Sequence, residues 1–304
     1  MKNESDNIDL YEVFEELLKS IKLIFITTLI ASVVVVFYSL SLSNIYTSSS
    51  LLTINELDEK SSSVLNQYSG LASMAGISLP QNSADAKAYR AIATIRSKDF
   101  LKILIEMDPS ILPSIMAAKK YDLNSNKLTY DENSYDLLKD AWVREVDTPY
   151  SQKPTYIEAH EHYLGMIETE VDQISRYIKI SVTHISPIFA QYLLEKIIET
   201  TNEISRVNDL SESENALNFL AEEDSKTSII SIKRSISSLI DTQLKTKMLA
   251  KISDDYLLKI IDSPHIPLKK SAPNRAVICI IGFFIGLFLS CIFVITRFYI
   301  FKKK

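Results

Sequence analysis

The chain has 304 residues, 33 Lys and Arg against 38 Asp and Glu, a net charge of −5, and 46% hydrophobic residues. A balance this close to neutral gives no pointer to nucleic-acid recognition. The 2 cysteines, Cys279 and Cys291, share one apolar run and lie ~18 Å apart along a helix, too far to pair with each other, so the rest of the chain must be stable without disulfides.

After a mildly acidic segment, residues 1–22, the run Leu23 to Leu42 (LIFITTLIASVVVVFYSLSL) has no charged side chain. About 20 residues at ~1.5 Å each cover a ~30 Å hydrocarbon core, so 23–42 is predicted to be a transmembrane helix. A cleaved signal sequence, with Ser41 and Ser43 at the cleavage site, is the alternative. The acidic leader and the length of the apolar run argue against it.

Asn44 to Asn55 alternates as a strand, with β-branched residues on both faces. A serine-rich turn at 61–63 and a small apolar stretch, SGLASMAGISL at 69–79, follow. From Ser83 the spacing of Ala86, Tyr89, Ile92, Ala93, Ile95, Phe100, Leu101 and Leu104 predicts one helix, ended by Asp108-Pro109. Lys119 to Pro154 reads as mixed and loop-rich. Tyr156 to Gln173 reads as a short helix and Tyr177 to His184 as a second strand.

From Pro187 to about Asp224 there is neither a further Pro nor a Gly. Phe189, Leu193, Ile197, Ile204, Val207, Leu210, Leu217 and Leu220 recur at helical spacing, which predicts one amphipathic helix of ~55 Å. A second helix carries Ile229, Ile232, Ile236, Leu239, Ile240, Leu244, Met248 and Ile252, and Tyr256 to Ile261 reads as a returning strand. The expected fold is α+β: a strand-containing base, 43–186 and 253–275, with a helical arm, 187–252, reaching away from the bilayer. The arm's apolar stripe (Ile197, Ile204, Val207, Leu210, Leu217, Ile232, Ile236, Leu244) exceeds what its own domain can cover, so partner chains are expected.

Pro264, Pro267 and Pro273 make a stiff extended connector or an ordinary loop, two readings the spacing leaves open. Ala276 to Thr296 (AVICIIGFFIGLFLSCIFVIT) is a second uncharged run, and residues 297–304 follow as a tail. Within it Gly282, Gly286 and Ser290 line up every fourth residue, a flat face that lets another helix backbone approach closely in lipid. Lys19 and Lys22 precede the first span; Arg297, Lys302, Lys303 and Lys304 follow the second. The positive-inside rule then places both ends in the cytoplasm and the 43–275 domain outside it, against the contrary signal of Lys269, Lys270 and Arg275.

Signals for chemistry are sparse. No G-x-x-x-x-G-K-[ST] loop exists, and the soluble region has only Gly70, Gly76 and Gly165. His160-Glu161-His162 would point to different faces of a helix, and Asp122-x-Asn124-x-Asn126 has Lys127 where a calcium loop needs Gly. His184 and His265 are isolated. No catalytic, cofactor or metal site is expected.

Taken in order, IDLYEVFEELLKSIK, IYTSSSLLTI, SGLASMAGISLP with RSKDFL, ISVTHISPIFAQYLLEKIIETTNEI, and IDSPHIPLKKSAPNRA before a glycine-bearing span resemble the Wzz-type polysaccharide co-polymerases, the O-antigen chain-length determinants. Lys270, where the family often has proline, and the 119–154 region depart from the pattern. The resemblance implies a non-enzymatic homo-oligomeric ring in the inner membrane, with an α/β base and long periplasmic helices. It also implies partnership with a separate polymerase and its polysaccharide, and no nucleic acid. A capsule or exopolysaccharide export role beside a separate cytoplasmic tyrosine kinase is the nearest alternative. A periplasmic sensor is a third, disfavoured by the eight-residue tail; a membrane-anchored hydrolase lacks a catalytic constellation.

Overall fold

The computed structural model describes residues 17–55 and 84–302. The serine-rich turn, the 69–79 stretch, most of the leader, and Lys303 with Lys304 lie outside them.

In chain order the elements are α1 (Ile21–Ser41), β1 (Tyr46–Ile54), α2 (Ala84–Ile95), α3 (Lys98–Met107) and α4 (Ile111–Met116). Four short strands follow: β2 (Ala118–Asp122), β3 (Lys127–Tyr130), β4 (Tyr135–Asp136) and β5 (Ala141–Trp142). Then come α5 (Tyr156–Met166), β6 (Ile167–Val171), β7 (Ile178–His184), α6 (Pro187–Lys226), α7 (Ile230–Ile252), β8 (Leu258–Asp262) and α8 (Arg275–Lys302). The molecule is α+β, with two helices long and apolar enough to cross a membrane flanking the mixed part.

Two compact units result. Met1–Ile45 and Lys270–Lys304 form one, and Tyr46–Lys269 the other. In the first, α1 and α8 pack together, and Ile45 pairs with Ala272 in an isolated antiparallel bridge.

The second unit is organised on a four-stranded sheet, order β6-β7-β1-β8, antiparallel throughout. β1 is central: Tyr46 opposes His184 and Leu52 opposes Ile178 on one side, while Ile54 opposes Leu258 on the other. Its alternation puts Tyr46, Ser48, Ser50, Leu52 and Ile54 on the buried face. Two serines on a buried face would be unfavourable without acceptors. Ser48 Oγ donates to the His265 carbonyl at 2.8 Å and Ser50 Oγ to the Asp262 carbonyl at 2.6 Å, so both hold the returning segment to the sheet.

The first turns of α6 pack against this sheet. Leu193, Leu194 and Ile197 join Leu52, Ile178 and Ile180 in one core, with Phe100, Leu101 and Leu104 of α3 and Tyr163 of α5. The start of α6 is defined locally: Ser186 Oγ accepts from the Phe189 amide at 3.2 Å, and Pro187 occupies the first turn.

The structure corrects three boundaries. The helix expected as one from Ser83 is two, because Ser97 adopts extended backbone and its hydroxyl accepts from the Phe100 amide, starting a new helix. The expected helix of 156–173 ends at Met166. Ile167, Thr169 and Val171 alternate with Glu168 and Glu170 and pair with β7 as an edge strand, so period two prevails there. The loop-rich middle contains two small antiparallel hairpins, β2 with β3 and β4 with β5.

Candidate functional site

Two surfaces are candidates, one in each unit. In the membrane unit, a Cβ placed on Gly282 would lie 2.5 Å from Val35 Cγ1, and one on Gly286 would lie 2.8 Å from Ala31 Cβ. Neither neighbour is the flexible end of a long side chain, so any larger residue would force the helices apart. Four residues further, Ser290 Oγ lies 2.8 Å from Thr27 Oγ1 and 3.2 Å from Thr28 Oγ1, and donates to the Gly286 carbonyl at 2.7 Å. Positions rise on α8 as they fall on α1, so the two helices run antiparallel and the small-residue face lies against α1 of the same chain. Thr27 and Thr28 were not singled out from sequence. Adjacent hydroxyls in an apolar run were the available signal, since small polar residues supply interhelical hydrogen bonds in lipid.

In the second unit, α6 and α7 form the hairpin. Arg206 Nη2 donates to the Ser253 and Asp254 carbonyls at 2.8 and 2.9 Å, and Lys247 meets Glu214 at 2.9 Å. Asn202, buried, ties the base of the hairpin to the returning strand. Its Oδ1 accepts from the Leu257 and Leu258 amides at 3.0 and 2.7 Å, while Nδ2 donates to the Leu258 carbonyl at 3.0 Å. Asn202 sits in the polar run Glu199 to Glu203, which gave no sequence signal for this role.

The stripe divides. Ile197 has no exposed surface and belongs to the base core, which corrects its place among the stripe residues. The core reaches Ile197 because the first turns of α6 lie on the sheet. Ile236 is buried within the hairpin, a second correction, and Ile204 packs against the core's edge. Leu210 and Leu217 are half-buried. Val207, Ile232 and Leu244 remain 52%, 44% and 49% exposed, joined by exposed Phe219, Ile230, Leu239, Met248 and Ile252. Covering a side chain of this kind that is half-exposed is worth ~1 kcal/mol.

The proline segment is held at two carbonyls. Pro264 accepts from Gln191 Nε2 at 3.3 Å and His265 from Ser48. Pro267 and Pro273 are half-buried.

The groups considered for chemistry lie apart. His160 Nε2 bonds the Arg96 carbonyl at 2.8 Å while His162 is exposed. Asp122 accepts from the Asn124 amide and the Ser125 hydroxyl, closing the β2–β3 turn. His184 is buried and both its nitrogens are used. Nδ1 accepts from the Ser186 amide at 3.0 Å, so the neutral ring's proton sits on Nε2, 3.0 Å from the Ser114 carbonyl. Burial pushes the ring down to about 4. Arg144 grips Glu158 through two hydrogen bonds and holds its carboxyl below the usual range. Among the described residues no group of three or more His, Cys, Asp or Glu is placed to hold a metal ion.

No curated protein sequence matches the chain. Two polysaccharide co-polymerases are among the solved structures similar to it. One is a full-length bacterial polysaccharide co-polymerase, 12% identical with a TM-score of 0.41, covering 97% of this chain and 99% of that one. The other is a fragment of WzzB, a polysaccharide co-polymerase from Salmonella Typhimurium, 11% identical with a TM-score of 0.32, covering 75% of this chain and 100% of that one. Residues 6–107, from the segment ahead of α1 through β1 to the end of α3, match the family model Wzz, chain length determinant protein, and there the resemblance to the Wzz-type co-polymerase family stands.

Proposed function

We propose that the chain is a non-catalytic scaffold of the bacterial inner membrane that regulates the chain length of lipopolysaccharide O-antigen. In this reading α1 and α8 are its two spans, both termini are cytoplasmic and residues 43–275 are periplasmic, with the base at 43–186 and 253–275 and the arm at 187–252. The observation that carries the reading is the match of residues 6–107 to the chain length determinant family. The apolar side chains left exposed on α6 and α7 support self-association, and a closed homo-oligomeric ring would cover them with one repeated contact. Gly282, Gly286 and Ser290 serve to pack the two spans.

The mechanism needs no bond-making group. A ring of identical arms presents many copies of a weak binding surface to one growing polymer or to its polymerase. Multivalency then lengthens the dwell time without any strong single contact. Polymerisation continues while the complex holds and stops when it releases, which gives a preferred length.

Deleting the gene tests this. A banded lipopolysaccharide ladder should become unregulated, and an unchanged ladder would contradict the reading. Loss of capsule with an intact ladder would favour capsule or exopolysaccharide export instead.

A further inference from the structure

The junction closing the α1–α8 pair carries a feature that helix packing does not use. Between Leu17 and Ile45, and between Lys270 and Lys304, the chain has no Asp or Glu. Two cations, Lys270 and Arg275, nevertheless flank the bridge between Ile45 and Ala272 that closes this end. With Lys269, both run against the positive-inside pattern set by Lys19, Lys22 and Arg297.

Arg275 is the first residue of α8. That is the unfavourable end of a helix for a cation, because unpaired first-turn N–H groups already give it partial positive charge. Among the described residues the guanidinium bonds neutral acceptors, at the long end of the hydrogen-bond range. Nη2 donates to the Leu42 carbonyl at 3.4 Å and to Asn44 Oδ1 at 3.2 Å, and Nε is buried without a partner. Lys270 is exposed, and the described residues of its unit contain no carboxylate to pair with it.

We propose that this junction binds the phosphate of an anionic phospholipid, with Arg275 and Lys270 supplying the charge and Asn44 holding the guanidinium in place. The proposal rests on α1 and α8 being membrane spans, which puts the junction at headgroup depth. The planar guanidinium matches phosphate oxygens, and charge-assisted bonds of this kind are short and strong. A phosphate also offsets the positive helix end that Arg275 worsens.

The test uses the full chain in mild non-ionic detergent, titrated with phosphatidylglycerol, with bound lipid counted by native mass spectrometry. R275Q and K270Q should each weaken retention about fivefold, the weight of one cation near an anionic lipid surface, and the pair about 25-fold. R275K should keep most of the affinity. Phosphatidylcholine should be held equally by all variants, and inorganic phosphate at the same concentration should not displace phosphatidylglycerol. Unchanged retention in the double variant, equal loss of both lipids, or full displacement by inorganic phosphate would overturn the proposal. K270Q decides the matter if R275Q does not fold, because Lys270 is exposed. Alkaline carbonate extraction separates the two levels of failure: release from membranes overturns the span reading, whereas a failed lipid site leaves the chain in the membrane pellet.

Discussion

One helix, α6, passes through two environments. From Pro187 to Asn202 its inward positions, including Leu193, Leu194 and Ile197, lie in the base core. Beyond Arg206 its main partner among the described residues is α7, and the pair leaves Val207, Phe219, Ile232 and Leu244 in the open. Helical periodicity is similar in both halves, so periodicity alone does not say what a helix face is for. The lower half is a domain core completed within the chain. In the upper half the described residues leave several apolar side chains uncovered, and in the proposed scaffold other copies cover them.

The largest effect that sharpens this contrast comes from paired truncations. Leu193→Ala should lower unfolding stability by about 3 kcal/mol, because a buried leucine leaves a cavity. Leu244→Ala should lower it by no more than ~1 kcal/mol while reducing oligomer mass in light scattering. Equal destabilisation by both would erase the difference between the halves.

Acid should act on the base through His184. Its folded pKa of about 4 lies below the free value of 6.5, so the neutral ring's contribution is present above pH 6.5 and is lost as pH falls toward 4. The loss amounts to roughly 3 kcal/mol by linkage. Thermal unfolding across that range should show the drop, and His184→Gln should flatten it.

Asn202→Ala leaves the Leu257 and Leu258 amides and the Leu258 carbonyl without this partner. It should lower stability by about 2 kcal/mol and raise hydrogen exchange at Leu257 and Leu258. Gly282→Ala should weaken span pairing by ~1 kcal/mol, measured from the detergent concentration that separates fluorophores on α1 and α8. Val35→Ala in the same chain should restore the pairing, because Val35 is the side chain the new methyl meets. The smallest effect belongs to Glu214→Gln. It removes an exposed ion pair to Lys247 and should leave the unfolding midpoint unchanged, since such pairs add little.

Much of this architecture was legible in the residues. Long uncharged runs, the β-branched and serine-rich stretch from Tyr46 to Ile54 and forty residues of helical spacing from Pro187 each point to their own element. What escaped depends on neighbours far along the chain. Ile167 to Val171 became a strand because β7 offers an edge, and Ile197 became core because the sheet lies under it. The hydroxyl cluster of Thr27, Thr28 and Ser290 needs two spans brought together, and neither segment announces its partner. Asn202 likewise acts on a strand some 55 positions away.

Self-association through the arm is the central expectation, and the molar mass of the purified full chain in mild detergent measures it. A mass several times 34.5 kDa that falls when Val207, Ile232 and Leu244 are changed together to Ser is the expected result. A single chain at all concentrations, with the same three substitutions silent, would contradict it.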